Sequence, residues 1–210
     1  MLPRLVLVTD RRATAGRDLV DVVRAALDAG LPAVQLREKD LPGGPLLALA
    51  ERLRGATTSA GALLFVNDRV DVAIACGADG VHLGGASMPV EAARTLLPAR
   101  ALIGVSTHAP AELAATTADF AFFGPVHTTP SKAASGPPQG EDRLRAAVAA
   151  ARVPVLAIGG VTVATAPGVR AAGAVGAAVI RAILEAPDPG AATRALLAAL
   201  ARAATGPASA

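Results

Sequence analysis

With 210 residues, 52% of them hydrophobic, the chain carries enough apolar surface for one sizeable core, which is the composition of a folded α/β protein and not of a disordered one. Its net charge of +3 comes from Arg residues scattered at helical spacings, and with aromatics at 2% there are almost no platforms on which bases stack, so nucleic acid is excluded as a partner. Gly, Pro or charge interrupts every apolar run short of bilayer-spanning length, the first residues lack a signal-peptide core, and the lone Cys76 rules out an internal disulfide, so a cytoplasmic protein without membrane contact is expected.

In chain order the apolar runs are LVLVTD (5–10), AVQLRE (33–38), LLFVND (63–68), GVHLG (80–84), LIGVST (102–107), FAFFGPV (120–126), VPVLAIGG (153–160) and GAAVIRAI (176–183). Between them lie Ala/Leu/Arg-rich helical patterns, from RDLVDVVRAALDAG after the first run to PGAATRALLAALARAA after the last. Gly follows several of these helices as a C-terminal stop, in AGLPAVQL, CGADGVHL and AGAVGAAV. Near-continuous apolar strands, each followed by a helix, are the pattern of parallel strands covered on both faces. Eight such units predict one (β/α)8 TIM barrel over residues 1–205, with a small polar tail at 206–210 that frays. A doubly wound open sheet is the alternative, but nothing in that fold asks for a count of eight. Cys76, at an apolar helix end, reads as a small buried hydrophobe.

The composition avoids several polar types, and the survivors cluster. Only two Lys occur, Lys39 and Lys132, with one Asn, Asn67, and three His, at 82, 108 and 127. All of them fall at or near the carboxyl end of a predicted strand, the face on which barrel enzymes build their sites. Along AVQLREKD the side chains alternate, so Gln35, Arg37 and Lys39 share one face while Leu36 and Glu38 take the other. Polar groups aimed at a barrel mouth need a partner, and an Arg fork beside a Lys point charge suits phosphate or pyrophosphate. The bland alternative pairs Arg37 and Lys39 with Glu38 and Asp40 along an exposed strand end. Asp68 is either the N-cap of the helix that follows or a Mg²⁺ ligand beside phosphate. The Gly pair of AIGGVT and the segment VIRAI stand where barrel phosphate sites are often built. His82 and His108 are expected to be structural or hydrogen-bonded to backbone.

The blocks VQLREKD, FVNDRVDVAIACGADGVHLG, IGVSTH, FFGPVHTTPSK and VLAIGGV, in that order, resemble the thiamine phosphate synthases over about residues 5–184. That family also includes the thiazole tautomerases. The resemblance implies a transferase that joins a hydroxymethylpyrimidine pyrophosphate to a thiazole phosphate with Mg²⁺, by early loss of pyrophosphate and attack of the thiazole nitrogen. Carried over, Gln35, Arg37, Lys39, Asn67, Ser106 and Lys132 would hold the pyrimidine pyrophosphate, with Arg37, Lys39 and Lys132 as the catalytic cations. Thr129, Ser131, Gly160, Ile180 and Arg181 would hold the thiazole phosphate, and Asp68 would ligate Mg²⁺. Three departures from the family pattern stand out: Ser87 replaces its second metal-binding acid, Arg181 replaces a phosphate-binding Ser, and His127-Thr128 stand where Phe-Pro is usual. A proton-shuttling His127 would suit a tautomerase, and a phosphate-binding paralogue without activity is the third reading. Oligomeric state is left open, a homodimer being compatible.

Overall fold

The computed structural model describes residues 2–129 and 137–201. Each apolar run forms a strand: β1 (Leu5–Val8), β2 (Ala33–Leu36), β3 (Leu63–Asn67), β4 (Gly80–Leu83), β5 (Leu102–Thr107), β6 (Phe120–Phe123), β7 (Val155–Ile158) and β8 (Gly176–Val179). All pair in parallel with their chain neighbours, and β8 returns to β1 to close the barrel. The (β/α)8 expectation is therefore met. The outer layer is α1 (Leu19–Asp28), α2 (Gly43–Ala60), α3 (Val70–Ala75), α4 (Val90–Leu96), α5 (Pro110–Ala115), α6 (Gly140–Ala150) and α7 (Ala166–Ala171). A single turn, α8 (Arg181–Leu184), precedes the closing helix α9 (Pro189–Ala201).

Local chemistry sets the helix boundaries. Asp18 caps α1 by accepting from the Val20 amide at 2.8 Å and the Asp21 amide at 3.2 Å. Gly61, at φ 65°, ends α2 in the left-handed region that glycine enters without a Cβ penalty. Seven strands end before their apolar runs do, β3 and β4 by one residue and β1, β2, β6, β7 and β8 by two or more. Residues 9–10, 37–38, 124–126 and 180–183 leave the ladder, and Arg181, read from the sequence as strand, instead opens α8. Cys76 is half-buried at the end of α3, its thiol donating to the Ala73 carbonyl, and burial pushes its pKa up.

Two apolar layers result from strand alternation. Leu5, Leu7, Val34, Leu36, Leu64 and Val66 face the helices in the outer core. The barrel interior holds Val6, Val8, Ala33, Phe65, Phe120, Phe122, Leu156 and Ala178. Three of the four Phe residues thus fill the barrel, with ring centroids 5.2 Å apart for Phe65–Phe120 and 5.7 Å for Phe120–Phe122. Small residues opposite them make the room. A Cβ on Gly104 would enter the Phe120 ring and stand 2.7 Å from His82 Nδ1. Gly104→Ala is expected to cost about 1–3 kcal/mol by overpacking, measured as a lowered denaturant midpoint at unchanged m-value.

Candidate active site

Above the Phe layer the interior turns polar. Gln35 (β2), Asn67 (β3), His82 (β4) and Ser106 (β5) occupy the last inward positions of four neighbouring strands, and register puts Asn67 beside His82. The sole Asn is there for a reason: it joins two carbonyl-bearing side chains. Gln35 Nε2 donates to Asn67 Oδ1 at 3.0 Å, and Asn67 Nδ2 donates to Asp68 Oδ2 at 2.7 Å. The other Asp68 oxygen accepts from the Gly84 amide at 3.2 Å and from the Ser87 hydroxyl. Gln35 is 2% exposed, and its Oε1 has no hydrogen-bond partner among the described residues. A buried acceptor without a protein donor is matched by water or by a ligand that donates to it.

Asp68 is not the helix cap that the sequence allowed. Arg69 takes the N-cap position of α3 without a side-chain bond, while Asp68 sits at φ 60° with its carboxylate turned toward Gly84 and Ser87. Asn67 and Gly84 line the cavity at the mouth, and Asp68 and Ser87 are one hydrogen bond behind them.

The cations that follow β2 do not pair with their sequence neighbours. Glu38, 5% exposed, accepts from the Arg11 amide at 3.1 Å and from Arg11 Nη1 at 2.9 Å. Asp40 accepts from Arg11 Nη1 at 2.7 Å and from Arg12 Nη2 at 2.6 Å, and Arg11 beside it holds its carboxyl below the usual carboxylate range. Both acids are thus committed to the 3₁₀ turn after β1. Arg37 and Lys39 line the cavity, and neither forms an ion pair among the described residues. The Arg37 amide donates to the buried Thr9 hydroxyl at 2.9 Å, which fixes the backbone from which the guanidinium reaches inward. Sequence reading missed Arg11 and Thr9; the clue was an acid at a buried alternate position that had to be matched from elsewhere.

The cavity, of about 510 Å³, gathers Gln35, Arg37, Lys39, Asn67 and Ser106 on one side. On the other it is lined by Thr129, Gly160, Ile180 and Arg181. Val8, Phe122, Ile158 and Ala178 make an apolar wall between. Nine predicted residues therefore share one cavity, while Ser131 and Lys132 lie outside the described residues. Gly160 has φ +63°, and a Cβ there would stand 2.7 Å from His127 Cβ, so this position requires glycine to let the two loops meet. Arg181 pairs with Glu185, another lining residue, and its Nε is buried without a partner among the described residues.

The histidines separate. His82 is fully enclosed and bonds the Ser106 hydroxyl across 2.9 Å, through a side chain and not the backbone; burial pushes its pKa down to about 3. His108 bonds the Gly124 carbonyl through Nδ1 at 2.6 Å, as expected of a locally satisfied histidine. His127 does not line the cavity; its Nε2 lies 3.9 Å from Glu141 of α6.

Fold and site together define a (β/α)8-barrel protein with a cavity at the carboxyl ends of its strands lined by Arg37, Lys39 and Arg181. The comparisons say which kind. Residues 5–183 match the sequence profile described as thiamine monophosphate synthase, and the chain belongs to that family. It is 50% identical over 193 residues to the thiamine-phosphate synthase of Roseiflexus castenholzii, covering 90% of this chain and 85% of the relative. Against the thiamine-phosphate synthase of Methanoculleus marisnigri the identity is 46% over 195 residues, covering 91% and 92%. The solved thiamine phosphate pyrophosphorylase of Pyrococcus furiosus superposes with a TM-score of 0.85 at 36% identity, over 94% of this chain and 95% of that one.

Proposed function

We propose that this chain is a transferase that joins hydroxymethylpyrimidine pyrophosphate to thiazole phosphate, releasing pyrophosphate and forming thiamine phosphate, in the cytoplasm. The observation that carries it is the pair of cavity-lining cations, Arg37 and Lys39, whose neighbouring acids are held by Arg11 and Arg12. Two unopposed positive groups at a barrel mouth stabilise an anion that departs, and they stabilise it most when its charge is fully developed. Lys132 is proposed as a third cation on that leaving group.

Each remaining part of the cavity has a task. Gln35 Oε1 is an acceptor, so it is satisfied by a ring amino group of the pyrimidine and not by the pyrophosphate. The apolar wall keeps water from the methylene carbon as positive charge develops there. Thr129, Ser131, the Gly160 amide, Ile180 and Arg181 hold the second substrate by its phosphate, which sets the thiazole nitrogen against that carbon. Orientation of two bound partners is the principal contribution, and no covalent nucleophile is needed.

The donor set suits Mg²⁺. Asp68 and Ser87 offer hard oxygen ligands, and no group of three His, Cys, Asp or Glu is assembled among the described residues, so a cation held here takes the rest of its shell from phosphate oxygens and water. Bound there, Mg²⁺ would neutralise charge on the pyrophosphate. Ser87→Asp adds a ligand charge, and the Mg²⁺ concentration giving half-maximal rate is expected to fall about tenfold.

A thiazole tautomerase is the competing reading, and the position of His127, away from the cavity and beside Glu141, does not support it. Purified protein given both substrates and Mg²⁺ should form thiamine phosphate and pyrophosphate in equal amounts. Isomerisation of a thiazole carboxylate phosphate without any pyrimidine substrate would instead establish the tautomerase, and binding without conversion a paralogue that has lost activity.

A further inference from the structure

His82 stands at the point where the apolar interior of the barrel meets the polar cavity. Its ring lies against Phe122, centroids 4.1 Å apart, with Phe120 at 5.9 Å and the bare face of Gly104 behind Nδ1. Nε2 is 2.9 Å from Ser106 Oγ, and Nδ1 is buried with no hydrogen-bond partner among the described residues. A neutral imidazole has one N–H and one lone pair, so two arrangements are open. If Ser106 donates to Nε2, the ring proton sits on Nδ1 as a buried donor without an acceptor. If Nε2–H donates to Ser106, what Nδ1 leaves unpaired is a lone pair. Buried N–H groups without acceptors are the rarer defect, which selects the second arrangement.

That choice decides what Ser106 offers the cavity. One lone pair of its oxygen accepts from His82, and its own O–H, which has no acceptor among the described residues, is left to donate. Ser106 lines the same cavity as Arg37 and Lys39. We propose that His82 is a positioning residue: as the Nε2–H tautomer it commits the Ser106 hydroxyl to donate into the cavity, toward an oxygen of the departing pyrophosphate. The assignment rests on the reading of the cavity under Proposed function. It gives the buried histidine a part in catalysis without proton transfer to or from it, and it explains why a ring so enclosed is His and not another Phe of the barrel interior.

Two measurements test it on the full chain. Ring ¹⁵N shifts of His82 in the wild-type protein at neutral pH should report the Nε2–H tautomer. In parallel, Mg²⁺ with inorganic pyrophosphate is titrated calorimetrically into wild type, His82→Phe, His82→Gln, Ser106→Ala and the His82→Phe/Ser106→Ala double variant. His82→Phe and Ser106→Ala should each weaken binding about 10- to 100-fold, the loss of one hydrogen bond to a charged group. The double variant should be no worse than either single one, and His82→Gln, whose amide nitrogen reaches the place of Nε2, should recover part of the loss. An Nδ1–H tautomer, or additive losses, would overturn the assignment and leave the cavity reading standing. A wild-type protein that does not bind pyrophosphate would overturn that reading and this inference with it.

Discussion

Arg37→Ala should lower kcat/KM for the pyrimidine pyrophosphate about 100- to 1000-fold, the cost of removing one preorganised donor from developing charge. The same change should leave thermal stability nearly untouched, because Arg37 makes no ion pair among the described residues and its backbone stays tied to Thr9. Arg37→Lys should recover little, since an ammonium cannot reproduce a planar fork that meets two phosphate oxygens at once. Kinetics with each substrate varied in turn, beside a melting curve, separate this from a folding defect: the effect should fall on the pyrimidine substrate and spare KM for the thiazole phosphate. The arrangement just after β2 makes the prediction sharp. The segment Arg37-Glu38-Lys39-Asp40 alternates in sign, and an ordinary surface strand end would neutralise itself. Here Arg11 draws both acids away, and Glu38 is buried in doing so.

Asp68→Asn should be nearly as damaging, about 100-fold in rate at limiting Mg²⁺, for two reasons that act together. Asn is among the few residues that tolerate the φ of 60° at this position, so the backbone survives and the loss is chemical. One reason is the missing carboxylate charge at the proposed metal ligand. The other is the amide relay behind it. Asp68 accepts from Asn67 Nδ2, and Asn67 Oδ1 accepts in turn from Gln35 Nε2, which is what leaves Gln35 Oε1 open to the cavity. In the variant, a side-chain amide at position 68 turned the wrong way reverses Asn67, then Gln35, and presents a donor where the pyrimidine needs an acceptor. KM for the pyrimidine substrate should therefore rise even at saturating Mg²⁺. A loss fully restored by excess Mg²⁺ would show that only the metal contribution exists.

Much of this molecule was legible from local signals. Eight apolar runs punctuated by helix patterns gave the barrel, because a buried parallel strand is apolar on both faces wherever it sits. The placement of Lys39, Asn67 and the histidines at strand ends gave the face on which to look. What was not legible depends on closure. Arg11 meets Glu38 only because β1 and β2 are neighbours in register, and His82 meets Ser106 only because β4 and β5 are. Neither partner carries a mark in its own segment. Asp68 was ambiguous for the opposite reason: Asp before a helix is so commonly a cap that only the observed bonds to Gly84 and Ser87 could set the cap aside. The turn α8 was hidden in an apolar run that reads as strand, and its first residue is the Arg181 that faces the cavity.

We propose that one cavity, with Arg37 and Lys39 on one side and the loops after β7 and β8 on the other, holds pyrophosphate and thiazole phosphate side by side. Calorimetric titration of Mg²⁺ with inorganic pyrophosphate into the protein, alone and saturated with thiazole phosphate, tests it most directly. One equivalent bound in both cases, weakened by Arg37→Ala but not by Arg181→Ala, is the predicted result. Mutual exclusion of the two ligands would contradict it.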